Sequence, residues 1–379
     1  MFPMTNYIIL LVVFVLLTFL YRRFEEKRIR EENKENYDAI RKYLLEDRSD
    51  LAQSKKPILW IHIPYEYNSR NWLSFGSRSS FELNQPYLYL TVRSIINQCG
   101  DSFHICLVDD NAFEKLIPEW KINIGHLGSP ISDKMRNLGM TKLIHMYGGM
   151  RVPISFLCFR NLNDMYEKGI RGEKMFVCEN IDRNVTSGSF NFYPDITFMG
   201  APKECETVKN LIDFMQRTIS TDFTSQSEFL GEFNRWVEYR VRKGYINVID
   251  GKEIGIKDMD DQSITIEMLL GQDYLKLYES AYGIYIPAKD VLNRVSYEWF
   301  SRMSPKQVLE GDTILSKYML LASAPDAKEN FETGMGTIEE ARIKPTNWVG
   351  FWKTPLQASW SIKPNLLGDN LIMLKEPNY

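Results

Sequence analysis

The sequence predicts an α/β fold, a mostly parallel sheet flanked by helices, with one transmembrane helix ahead of it. Three observations carry this. From about residue 57 onward, short β-rich runs alternate with helical patterns of 10 to 15 residues, the rhythm of strand–crossover–strand units. The chain has 379 residues of which 44% are hydrophobic, enough for one large core. Residues 1–21 contain no charged side chain.

That first segment centres on YIILLVVFVLLTFLY. As a helix it spans roughly 30 Å, the hydrocarbon thickness of a bilayer. A cleaved signal peptide would need a basic start and a small-residue cleavage site, and neither is visible, so an uncleaved single-pass anchor is expected. Arg22, Arg23, Lys27, Arg28 and Arg30 follow the span and no Lys or Arg precedes it. The positive-inside rule then puts the large domain on the cytoplasmic rather than the lumenal side. Residues 22–55 are dense in Glu, Lys and Arg with few apolar positions, which predicts a solvated helical stalk, a short coiled coil being the alternative.

In the folded part, expected at 56–323, ILWIHI (58–63) reads as the first strand and YLYLTVRSIINQC as a helix. FHICLV (103–108) is the second strand and ends at Asp109 and Asp110. A helix follows at 132–146, then strands at VPISFLCF (152–159), MFVCEN (175–180) and ITFMGA (196–201), and a helix over about 204–218. Beyond 220 Tyr, Trp and Phe are frequent, a pattern of core packing more often than of sugar stacking. Residues 324–379 are richer in Gly, Pro and Asn and are expected to be an extension packed on the same domain.

Several function classes are disfavoured. A net charge of -3, from 46 basic and 49 acidic residues, gives no electrostatic reason to expect nucleic acid as partner. The five cysteines (Cys99, Cys106, Cys158, Cys178, Cys205) lack CxxC or Cys/His spacing and are expected to be reduced core residues. GxGxxG after the first strand, GxxxxGK[ST], GxSxG and HExxH are all absent. Of the four histidines, His104, His126 and His145 read as structural, and His62 stands out because it sits at a strand terminus, where open α/β sheets bind ligands.

The stretch ISDKMRNLGMTKLIHMYGGMRVPISF, residues 131–156, is the most specific in the chain. It resembles the core signature of DXD-type sugar transferases of the GT-A fold, the group that includes Golgi mannosyltransferases and capsular polysaccharide synthesis proteins. Asp133, Arg136, Tyr147, Gly148 and Gly149 match that pattern position by position. The resemblance is strong at 132–150 and looser over 57–217. It implies a GT-A-like sheet and a cleft for a nucleoside diphosphate sugar, lined by Asp133 and Arg136, with His62, Asp109 and Asp110 on neighbouring strand ends and Gly148 and Gly149 turning the chain from helix to strand. It also implies a glycan, lipid or protein acceptor.

The departure lies at the motif that names the group. Pro153 and Ser155 stand where two metal-holding carboxylates belong, and neither can chelate Mn²⁺ or Mg²⁺ as an acid does. Three accounts remain open: catalysis is lost and a binding or structural membrane protein is left, Arg151 substitutes for the ion as a diphosphate partner, or acids elsewhere rebuild a metal site. Asp109 and Asp110 are the first choice for such a site, ahead of Glu179, Asp182, Asp195 and the KDMDD run with Asp258, Asp260 and Asp261. Asp195 is also the weak candidate for a general base. Asn184-Val185-Thr186 forms a glycosylation sequon, relevant only in a lumenal domain.

Overall fold

A computed structural model describes residues 56–63, 85–128, 130–181, 192–221, 231–293, 295–323 and 371–373, with Thr18, Tyr21 and Arg23. Apart from those three residues, the expected anchor and stalk lie outside the described residues, as do Asp182 and the Asn184 sequon. Among the described residues no helix is long and apolar enough to cross a membrane. The chain divides into two units, residues 1–55 with 112–122, and residues 56–111 with 123–379. The smaller contains helix α2 (Ala112–Leu116), whose Phe113 ring meets that of Trp120 at 5.4 Å.

The larger unit is built on a seven-stranded sheet. Its strands are β1 (Ile58–His62), β2 (His104–Val108), β3 (Gly149–Arg151), β5 (Phe176–Ile181), β6 (Phe192–Ala201), β7 (Asn247–Ile249) and β9 (Leu371–Met373), in the order β7-β5-β6-β3-β1-β2-β9. β1 pairs in parallel with β2 and β3, β2 with β9 and β5 with β7, while β6 runs antiparallel between β3 and β5. The sheet is thus mostly parallel, as the alternation of runs predicts. A separate two-stranded ribbon joins β4 (Phe156–Cys158) to β8 (Gly283–Tyr285). Among the described residues the unit also contains helices α1 (Leu88–Cys99), α3 (Ile131–Tyr147), α4 (Asn163–Gly169), α5 (Glu206–Thr221), α6 (Glu232–Arg242), α7 (Ile266–Leu270), α8 (Ala288–Asn293), α9 (Glu298–Arg302), α10 (Pro305–Leu309) and α11 (Ile314–Ser323).

Alternation along β1 decides which side chains meet which layer. Leu59 and Ile61 join the core that contains Ile105, Leu107, Met150, Phe156 and Phe176 with residues of α1 and α11. Trp60 and His62 point the other way. Trp60 packs on Tyr147 of α3, ring centroids 5.8 Å apart, and its Nε1–H donates to the Gly148 carbonyl at 2.9 Å. All five cysteines are free and buried, and Cys99 and Cys158 stand with their sulfurs 3.9 Å apart, beyond bonding distance.

One predicted strand is corrected. Residues 152–159 do not form a continuous strand after the helix: the strand there is β3, starting at Gly149, and Val152–Ser155 make a turn before β4 leaves for the second ribbon. Proline explains the break. Pro153 lacks the N–H that a central strand flanked on both sides must donate, and its carbonyl accepts from Phe156 N at 3.0 Å to close the turn.

Candidate functional site

The strand order marks where a ligand cleft belongs. From β1 the chain moves to β2 on one side and then to β3 on the other, so the direction of connection reverses at β1. Crevices open at the carboxyl ends of parallel strands at such a point. His62 is the last residue of β1, Asp110 stands two residues past the end of β2, and Arg151 ends β3. β6 pairs Met199 with Arg151 and runs antiparallel, which carries Asp195 past the end of β3 on the same edge.

Helix α3 supplies the remaining groups. Its N-cap is Pro130, without a side-chain cap bond, so Asp133 does not cap the helix. The Arg136 guanidinium, one turn on, grips the Asp110 carboxylate with two nitrogens: Nε lies 3.1 Å from both oxygens and Nη2 2.9 Å from Oδ2. Nη1 reaches Asp133 Oδ1 at 3.4 Å, and Lys289 of α8 donates to the other Asp133 oxygen at 2.7 Å. His62 Nε2 lies 2.9 Å from Asp110 Oδ1. An ionised carboxylate only accepts, so this ring nitrogen carries the hydrogen. Arg151 is buried and donates to the side chain of Asn137, the residue after Arg136, at 3.0 Å and to the Ile196 carbonyl at 3.4 Å.

The glycines at the end of α3 set this geometry. Gly148 adopts φ 73° and its N–H closes the helix on Ile144 O at 2.8 Å, and Gly149 follows at φ 99°, so the strand begins at once. A Cβ on Gly149 would lie 2.1 Å from the Ile58 carbonyl oxygen, inside the backbone of β1. Close approach of β3 to β1 therefore depends on glycine.

Burial drives the electrostatics. It pulls the His62 imidazole below its usual range, outweighing the neighbouring Asp110, with Arg151 and Arg136 acting in the same direction as burial. Burial by itself would raise Asp110, but the bonds from His62 and Arg136 hold its carboxyl below the ordinary value. Arg151 is lowered by burial to about 10, opposed by Asp195 and Tyr285, and stays charged at neutral pH. The sign of the pH dependence follows. A histidine with depressed folded pKa lets the unfolded chain take up a proton first, so stability is lost as pH falls below about 6.5, and a depressed carboxylate adds to the loss below about 4. His104, also lowered by burial, acts in the same direction. The melting temperature is expected to hold from pH 8 to 7 and to fall progressively below about 6.5, with a shallower fall in His62→Gln, as read by circular dichroism.

Among the described residues, the acids expected to hold a divalent ion are already committed to other partners. Pro153 and Ser155 lie in the turn after β3, where Ser155 offers its carbonyl to Ile286 N at 3.2 Å. Asp110 is held by Arg136 and His62. Asp195 accepts from Asn180 Nδ2 at 2.7 Å and from the Thr197 hydroxyl and N–H. Glu179 is paired with Lys257 and with Gly251 N, and Lys257 lies 4.3 Å from the Phe192 ring centre. In the KDMDD run Asp258 receives Asp260 N and Gln262 N, a local turn, while Asp260 pairs with Lys276 and Asp261 with Lys252, each at 2.9 Å. Among the described residues no three His, Cys, Asp or Glu side chains converge on one point.

Of the expected site residues, the structure thus joins His62, Asp110, Asp133 and Arg136 in one network and sets Arg151 beside it. Asp109 is buried immediately before Asp110. Lys289 and Asn137 belong to the site and are not singled out by the sequence. Asn137 adjoins Arg136 in a helix already expected to line the cleft, which is a usable signal. Lys289 lies 156 residues from its partner and carries none.

No protein-family model matches the chain, and no curated protein does. Among solved structures it is similar to the glycosyltransferase GlyE of Streptococcus pneumoniae TIGR4 in its apo form, with a TM-score of 0.36 and 11% identity over 68% of this chain and 63% of that one. A second GlyE structure gives a TM-score of 0.35 at 11% identity with the same coverage. An active-site mutant of LgtC gives a TM-score of 0.33 at 11% identity over 64% of this chain and 93% of that one. The matched region spans less than two thirds of the GlyE chain. These likenesses are remote, and the reading that follows rests on the site's own residues.

Proposed function

We propose that this chain is a glycosyltransferase-like protein whose carboxyl-edge cleft takes a nucleoside diphosphate sugar without a divalent ion. The observation that carries the reading is the convergence of His62, Asp110, Arg136 and Arg151 at the point where the sheet reverses direction, behind a helix whose sequence resembles the DXD-type signature. In this reading Asp133 accepts from sugar hydroxyls, Arg136 is fixed by Asp110 to face the donor, and Arg151 supplies positive charge toward the departing diphosphate. Transfer breaks the bond between the anomeric carbon and the diphosphate and joins that carbon to a hydroxyl of a glycan, lipid or protein. In this reading Asp195 is the candidate to take the hydroxyl proton. The anchor at 1–21 holds the protein in a membrane, with the domain on the cytoplasmic side.

A second reading, a non-catalytic binding protein, is favoured by one specific feature. Among the described residues three cations (Arg136, Lys289, Arg151) face three carboxylates (Asp110, Asp133, Asp195), which leaves no surplus positive charge among them to offset a diphosphate, and Pro153 and Ser155 bring no metal. Release of nucleoside diphosphate from UDP- and GDP-sugars by the full chain separates the two. Turnover that Asp195→Asn abolishes supports transfer; binding without turnover supports the second reading.

A further inference from the structure

Helix α6 and the turn after it carry a surface unrelated to the cleft. The helix buries Phe233 and Val237 and packs on β6 and α5. Its outward side bears Tyr239, 58% exposed, and the turn bears Tyr245, 54% exposed. Cations are interleaved with these rings. The Arg240 guanidinium stands 4.8 Å over Trp236 and 5.8 Å from the Tyr245 ring, and the Lys243 ammonium is 5.7 Å from the Tyr239 ring. Arg240 Nε is buried without a hydrogen-bond partner, and among the described residues no carboxylate pairs with Arg240 or Lys243. Arg242 pairs with Glu238, the one acid between 235 and 248, and Lys174 adds a further cation by donating to Gly244 O at 2.7 Å.

We propose that Arg240, Arg242 and Lys243, with Tyr239 and Tyr245, dock on an anionic lipid surface. Tyrosine rings with a polar tip suit the water–lipid boundary, and cations beside them meet lipid phosphates and carboxylates. Each such cation contributes about fivefold in affinity near an anionic leaflet, and since Arg242 is paired with Glu238 the net gain is that of two cations, roughly twenty-five-fold. A patch this small is weak for a free protein. It becomes effective on a tethered one, and in this respect the inference rests on the membrane anchor proposed above, since tethering raises the effective concentration of the domain at the bilayer. Nucleic acid is the other polyanion such a patch could meet, and the heparin arm of the test below separates the two.

The test uses the full chain in nanodiscs of phosphatidylcholine alone and of phosphatidylcholine with phosphatidylserine, with hydrogen exchange followed over 238–248. Exchange is expected to slow at least about fivefold in the anionic discs, to recover in high salt, and to recover in the triple variant Arg240→Ala, Arg242→Ala, Lys243→Ala. Should that variant unfold, Lys243→Ala alone is expected to lose part of the protection. Equal exchange in the two discs, failure of the chain to enter them, or the same protection from heparin in phosphatidylcholine discs would overturn the proposal.

Discussion

Gly149→Ala is expected to lower stability by roughly 3–5 kcal/mol, the combined cost of a left-handed backbone at a non-glycine residue and of overpacking. Its Cβ would sit 2.1 Å from the Ile58 carbonyl, so β3 must move away from β1 and the pairing of Leu59 with Met150 is lost. For a unit of this size the fall corresponds to about 5–10 °C in melting temperature. Gly128→Ala is the control, since a Cβ there meets nothing within 4 Å, and it should change stability by no more than about 0.5 kcal/mol. If the two variants melt alike by differential scanning calorimetry, the account of the helix–strand turn is wrong.

Asp110→Ala is expected to cost a similar amount, about 3–5 kcal/mol, for a different reason. It removes the acceptor that holds three Arg136 contacts and the His62 hydrogen, so a mostly buried guanidinium loses its closest carboxylate. The double variant with Arg136→Met should be less destabilised than the sum of the two single changes, by at least about 1.5 kcal/mol. Additive losses in urea titration would mean that the pair is not coupled and that the network does not position Arg136.

Much of this arrangement is legible in the sequence, and the reason lies in local chemistry. β1 and β2 are bounded apolar runs, α3 has the periodic apolar positions Leu143, Ile144 and Tyr147, and Gly-Gly punctuates its end. Those signals are carried by neighbouring residues. The break at Pro153 is also written locally, but the apolar run around it reads as one strand until the two-sided pairing of β3 is known. β8, which draws β4 into a separate ribbon, lies more than a hundred residues downstream of it, and β9 pairs with β2 from the far C-terminal region. Lys289 reaches Asp133 through the same kind of long-range contact. Such partners are chosen by tertiary packing, which no window of sequence contains. Asp110 illustrates the limit within the site. The sequence marks Asp109 and Asp110 together as ligand or ion candidates, whereas the fold commits Asp110 to Arg136 and His62.

The central claim is that the cleft binds a nucleoside diphosphate or its sugar without a divalent ion. Thermal unfolding of the full chain against uridine and guanosine diphosphates and their sugars, with Mn²⁺ and with EDTA, tests it most directly. A bound nucleotide at 100 times its dissociation constant should add about 2.7 kcal/mol, and the shift should persist in EDTA. Absence of a shift with every nucleotide would contradict the cleft assignment, and a tenfold or greater loss of affinity in EDTA would contradict its independence of metal.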